Sequence, residues 1–306
     1  MEIYLPIAQM SVNWLVILSM GASVGFLSGM LGVSGGFITT PLLMFYGIPA
    51  GIAVSTQASP IAAASLVGTL RQAERNSVDY KMGSVLMVGG TLGSAAGVYL
   101  FAFLQKVGQI DLVISLSYVL LLGSVGGLML RESVQYILAT RRGVQLRTHK
   151  AGRHTWIHNL PFKMRFRRSR LYISAIPIVA LGFVVGVMTA ILGTGSAFLL
   201  IPAKIYLLRM QTTLAVGTSQ FQMFVVAVAS TMMHSVTDHT VDIVLAFILI
   251  VGGVLGAQLG VRIGSGLRAE EMRALLAALL IAIAIRLFAD LTITPSDVYS
   301  VTLLMR

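Results

Sequence analysis

One glycine-broken apolar segment occurs twice in this chain, about 160 residues apart. The first copy, Gly25 to Met44, reads GFLSGMLGVSGGFITTPLLM; the second, Gly182 to Pro202, reads GFVVGVMTAILGTGSAFLLIP. Each opens as an apolar helix, halts at a cluster of Gly, Ser and Thr, and resumes as a short apolar stretch. In lipid such a break survives only where its freed backbone is buried in protein or lines a watery cavity. A matched pair of interrupted segments is the sequence pointer to a substrate site in a secondary transporter.

The rest of the chain requires a bilayer. Of 306 residues 56% are hydrophobic and 11% charged, with a mean hydropathy of +0.87. Apolar runs of about 20 residues, the length of a spanning helix, recur throughout. The chain therefore reads as an all-α integral membrane protein. The first half offers segments at Val12–Leu31, Phe37–Tyr46, Ile52–Leu70, Met82–Leu104 and Ile110–Leu130. The second offers Leu171–Leu192, Ala197–Leu208, Thr213–Met233, Val241–Ile263 and Met272–Ala289. Phe37–Tyr46 and Ala197–Leu208 are about half a span and read as short broken or re-entrant helices. The first apolar run lacks a basic flank and a small-residue cleavage site, so it reads as a retained helix.

The halves match beyond the break. Ala53-Val54-Ser55-Thr56 aligns with Ala215-Val216-Gly217-Thr218, and Val78-Asp79 with Val241-Asp242. Gly89, Gly93 and Gly97 align with Gly252, Gly256 and Gly260. Anchors in one order indicate a duplication. Three units follow: a first transmembrane repeat at 1–137, a basic linker at 138–170 and a second repeat at 171–306.

Charge orients the copies. The loop before Met82 carries Arg71, Arg75 and Lys81, whereas its counterpart, Ser235–Thr240, has no Lys or Arg. The loop before Ile110 has Lys106, whereas its counterpart has Arg262, Arg268 and Arg273. Opposite bias in matching loops predicts inverted repeats under the positive-inside rule. Arg131 to Arg170 holds 11 of the 22 Lys and Arg and belongs to the cytoplasm, against anionic lipid headgroups rather than nucleic acid. Both termini are then expected outside, in a multi-pass protein of the cell inner membrane.

At each break a new helix begins, and its first amides carry the positive end of the helix dipole. Ser34, Gly35, Gly36 and Thr39 from the first copy, and Thr194, Gly195 and Ser196 from the second, are the candidate substrate-binding residues. Two such helix starts facing each other would bind a small anion without a buried Lys or Arg. On the following helices Thr56, Gln57, Thr218 and Gln220 add polar groups, of which the two glutamine amides are hardest to satisfy within their own helix. Arg71, His234 and Arg286 are candidates for a gate or vestibule. The glycine triplets read as close helix-packing faces.

Other chemistry finds little footing. There is no cysteine and no GxxxxGK[ST] run, which excludes thiol chemistry and gives direct ATP hydrolysis no support. All 11 Asp and Glu lie near segment ends or in loops, and Asp79 and Asp242 read as helix caps rather than proton relays. His149, His154 and His158 lack accompanying acidic ligands, so neither a metal nor any other cofactor is expected.

These residues resemble the TauE/SafE family of membrane permeases, the sulfite exporters. The resemblance rests on Gly25–Pro41, Ala53–Thr56 and Val78-Asp79 with the later Gly-Gly-Thr-Leu-Gly. It recurs in Gly182–Pro202, Ala215–Thr218 and Val241-Asp242. It implies a carrier, usually an exporter, for sulfur oxyanions or organosulfonates such as sulfite or sulfoacetate; the sequence is compatible with a homo-oligomer. Two departures stand out: Ser196-Ala197 replaces Gly35-Gly36, and the basic linker is long for the family. A passive anion channel shares every feature above. An intramembrane serine protease is the remote alternative, through Gly32-Val33-Ser34-Gly35 and His234 as base. The second copy has Gly195 in place of that serine, so the expectation is a non-enzyme.

Overall fold

The computed structural model describes residues 2–31, 35–141, 161–166, 168–169, 171–195, 197–206, 208, 210–264 and 269–292. The first repeat comprises a hairpin, β1 (Glu2–Leu5) and β2 (Met10–Asn13), and helices α1 (Trp14–Leu31), α2 (Gly36–Phe45), α3 (Ala50–Glu74), α4 (Tyr80–Val107) and α5 (Ile110–Arg141). The second repeats that order: β3 (Lys163–Phe166), β4 (Leu171–Ser174), α6 (Ala175–Leu192), α7 (Ala197–Tyr206), α8 (Thr212–Thr237), α9 (Ile243–Gly264) and α10 (Ala269–Thr292). Among the described residues seven helices are long and apolar enough to cross a membrane, while α2 is a short apolar helix of 10 residues.

The hairpins correct the first and sixth predicted segments. Val12 and Leu171 lie in strands, and the helices begin at Trp14 and Ala175. The cause is local: along β4, Tyr172 faces out and Ile173 faces in, the two-residue period of a strand. The strands pair antiparallel, Glu2 opposite Asn13 and Lys163 opposite Ser174. Because α5 continues to Arg141 and β3 starts at Lys163, the predicted linker 138–170 takes in the end of a helix and a strand. His149, His154 and His158 lie outside the described residues.

Inversion is visible in the packing. Equivalent helices α3 and α8 lie side by side and run antiparallel, with Gly68 against Gln220 and Ile61 clustered with Met223 and Ala227. The repeats are also interleaved, since α1 packs along α9, and α6 along α4. Both seams are built by the glycine triplets. A Cβ added at Gly256 or Gly260 would strike the carbonyl of Ala22 or Phe26, and one at Gly89 or Gly93 that of Val179 or Phe183. The helices touch backbone to backbone, as the small-residue faces predict.

The two aspartates bind the repeats reciprocally. Asp79 Oδ1 caps α4 by accepting from the Met82 amide at 3.2 Å, and Oδ2 accepts from the Ser169 amide in the second hairpin at 3.1 Å. Asp242 Oδ1 accepts from the amides of Val244 and Leu245, and Oδ2 from Ile7 in the first hairpin at 3.1 Å. Both carboxylates are buried and bonded to protein donors, which is the capping role expected of them.

Candidate functional site

A cavity of about 630 Å³ lies between α1, α3, α8 and α9 and reaches the start of α2. It opens at the C-terminal end of α3, where Arg71, Glu74 and Arg75 are exposed on its rim. Its walls are mostly small or apolar: Gly21, Gly25 and Gly29 from α1, Pro60, Ile61 and Ala64 from α3, Met223 from α8 and Gly253 from α9. Such a volume, apolar with a few convergent polar groups, is typical of a small-molecule site.

Those polar groups come from the first break and the helices beside it. Gly35, Gly36 and Thr39 line the cavity where α2 begins without a side-chain cap among the described residues. The Thr39 hydroxyl donates to the Gly35 carbonyl at 3.2 Å, so in this conformation its proton is turned into its own helix. Gln57 lines the same wall, 4% exposed, with its Oε1 unpartnered among the described residues. A buried amide oxygen left unbonded is costly, and an amide can rotate to present either end to a ligand. Gln220 enters from α8 against Gly68, and Arg71 stands at the mouth.

The second break meets the first, and its described residues, Gly193 to Gly195, do not line this cavity. A Cβ on Gly36 would come 2.9 Å from the Gly193 carbonyl oxygen, so the two glycine clusters touch. Thr194 and Gly195 follow, both buried, with Gly195 at a φ of +71°. Ser34 and Ser196 lie outside the described residues. Thr56 and Thr218 are engaged elsewhere: the Thr56 hydroxyl oxygen accepts from the Asp242 amide and that of Thr218 from the Asp79 amide, each at 3.0 Å. They hold one repeat to the other and stand outside the cavity wall. Arg286 is exposed on α10, 4.5 Å from the centre of the Phe45 ring, also away from the cavity.

His234 sits at the opposite end of the molecule, 1% exposed. Its Nδ1 faces Asp238 Oδ2 at 2.9 Å and its Nε2 faces the Ala190 carbonyl at 3.1 Å. The Phe101 ring packs edge-on at 4.7 Å. Both ring nitrogens thus face protein oxygens, and Ser34, the other half of the protease alternative, lies outside the described residues.

One buried polar residue escaped the sequence reading. Lys204 on α7 is fully buried, and its Nζ donates to the Ser219 hydroxyl on α8 at 2.9 Å. The anion site expected from the sequence needed no buried Lys or Arg, yet a buried lysine stands on the second broken helix. Its signal was present, as a single lysine inside the apolar run Ala197–Leu208; ionisable residues placed inside membrane segments are functional candidates by default.

Interleaved inverted repeats, two facing helix breaks and a deep cavity open at one end define a multi-pass membrane transporter. The chain belongs to the sulfite exporter TauE/SafE family, whose family model matches residues 17–287. It is 26% identical to the probable membrane transporter protein YunE of Bacillus subtilis (strain 168), across 91% of this chain and 98% of that one. A probable membrane transporter protein of Xylella fastidiosa (strain 9a5c) is 26% identical, across 89% and 93%. YjnA of Bacillus subtilis (strain 168), also named a probable membrane transporter protein, is 25% identical across 89% and 98%. No solved structure gives a significant match.

Proposed function

We propose that the protein is a secondary carrier that exports small sulfur oxyanions or organosulfonates, such as sulfite or sulfoacetate, across the cell inner membrane by alternating access. The observation that carries this reading is the cavity itself: it ends at the start of α2 and at Gln57, whose amide oxygen is unpartnered among the described residues, while at the matching end of the other repeat the buried His234 ties α8 to α6. Helix N-termini bind anions through backbone amides and dipole. Ser34, Gly35 and Gly36 would hold the oxyanion on one side and Thr194, Gly195 and Ser196 on the other, with Gln57 and Gln220 flanking it. The substrate class comes from the family's name and its resemblance, since geometry alone fits any small oxyanion.

The orientation follows from charge. With Arg71, Arg75 and Lys81 in the cytoplasm, the open end faces inward, both termini lie outside and loop 138–170 sits against anionic lipid. A carrier resting in one of two states fits the fastened far end, and the kinetics of flux separate it from a gated channel. The test is uptake of labelled sulfite into liposomes holding the purified protein, with sulfoacetate and sulfate as competitors. Saturable flux with counterflow, blocked by sulfoacetate, is expected. Non-saturating flux would make the protein a channel, and absence of flux for all three would remove the substrate class. Bulky substitutions at Gly35 and Ser196 are expected to abolish both binding and transport; intact transport would displace the site.

A further inference from the structure

The buried lysine on the second broken helix has no assigned role. Lys204 aligns with Leu43 through the shared prolines Pro41 and Pro202, and Leu43 is fully buried among Leu5, Val12, Ile17 and Ile48. A leucine thus satisfies the packing at this place in one repeat, so shape does not demand a lysine in the other. Charge is the difference.

Its surroundings compensate that charge poorly. Among the described residues Lys204 makes no ion pair, and its Nζ bonds to a neutral hydroxyl. The acidic group whose field reaches it, Asp79, already accepts from the amides of Met82 and Ser169 and from the Ser169 hydroxyl at 2.6 Å. Among the described residues its partner is one neutral hydroxyl, so the side chain rests there as an amine or holds its proton by drawing in an anion. The cavity is close by. Ser219 stands one turn of α8 from Val216 and from Met223, both of which line it. Ile201, one turn before Lys204 on α7, packs with Ile61 and Met223 of the same wall. Ser219 is also the repeat counterpart of Gln57, whose amide oxygen is unpartnered on the cavity wall among the described residues.

We infer that Lys204 and Ser219 form the charged half of the anion site: the Lys204 ammonium binds the anionic head of the substrate, with Ser219 as its relay to the cavity wall. This rests on the anion-carrier reading. In the inward-open state the pair lies one side-chain layer behind the wall. Exchange of the open end puts Ser219 where Gln57 now stands, and the ammonium then meets the substrate.

The test is anion-induced stabilisation of the purified full-length carrier in detergent, using sulfite, sulfoacetate and sulfate as probes, for wild type, Lys204→Gln and Lys204→Met. Lys204→Gln keeps a donor for Ser219 and removes the charge; Lys204→Met keeps the packing. A response in wild type that weakens in either folded neutral variant by at least about thirtyfold in apparent affinity is expected. A wild-type response retained unchanged in a neutral variant overturns the lysine role and leaves the anion reading standing. No response of the wild type to any of the three anions overturns both. If neither neutral variant folds, Lys204 is a structural cation and the proposal fails.

Discussion

The two ends of the molecule carry the same elements in opposite states. At the end of α3, Arg71 and Arg75 are exposed around the mouth of the 630 Å³ cavity that separates α3 from α1 and α9. At the matching end of α8, His234 is buried and bridges Asp238 to the Ala190 carbonyl, so α8 is fastened to α6. The Tyr118 hydroxyl donates to the Leu192 carbonyl and adds a second fastening to α6 from α5. The seams, by contrast, are alike at both places: Gly256 against Ala22 on one side, Gly93 against Phe183 on the other. Under the proposed alternating access, the glycine seams define the fold and a few polar bonds at the helix tips select the open end. Discrete packings of one interface, rather than gradual deformation, are what alternating access needs.

The largest expected effect falls on the shared part. Gly93→Val and Gly256→Val each drive a side chain into a facing carbonyl and should cost about 3 kcal/mol or more apiece. Both are expected to lose monodisperse protein in mild detergent to a similar degree. If one folds with an unchanged Tm while the other collapses, the seams are not equivalent and the symmetry argument breaks.

Next comes the fastened end. His234→Ala leaves the Ala190 carbonyl and the Asp238 carboxylate without their partner, at a cost of about 2 kcal/mol to the closed arrangement. Thermal unfolding should show part of that loss. The remainder should appear as easier opening, reported by a cysteine at Val226, which is fully buried in the present state. Loss of stability with no gain in opening would make His234 a packing residue and not a latch.

A direct reading of the asymmetry uses the absence of native cysteine. Ala64 lines the cavity and is exposed, whereas its counterpart in the second repeat, Val226, is buried. Since a minor state is commonly populated at 10% or less, Ala64→Cys should react with a maleimide at least about tenfold faster than Val226→Cys. Substrate on the outer side should narrow the ratio. Equal rates without substrate would mean that the protein does not rest in this state.

Much of this organisation was legible in the sequence because a bilayer enforces it. Nine of the ten segments were placed within a few residues of a helix, and the fifth, predicted to end at Leu130, runs on to Arg141, because apolar length marks the span but not how far a helix continues past it. The seams followed from glycine spacing, and the Asp79 and Asp242 caps from their position at helix starts. The site was partly legible. Gly35, Gly36, Thr39, Gln57, Gln220 and Arg71 do come together around one cavity, while Thr56 and Thr218 turn to backbone amides across the repeat boundary. That boundary contact joins residues 186 and 139 positions apart, which no local pattern announces. The hairpins were missed because a four-residue alternation next to a long apolar run merges with it. Lys204 was missed because the search for buried charge was directed at acids.

The smallest effect separates the two ends most cleanly. Arg71 is exposed and lies on the rim, so Arg71→Gln should leave stability within about 0.5 kcal/mol of wild type, unlike His234→Ala. Its charge still acts on an approaching anion, because a rim residue sets the local potential and the rate of encounter. Transport from the Arg71 side should therefore lose a few-fold in kcat/KM at low ionic strength, with the difference fading as salt is raised. Transport measured from the opposite side should be unchanged. A deficit that is equal from both sides and independent of salt would place Arg71 in the common site, and the two ends would then differ in accessibility but not in which charges the substrate meets first.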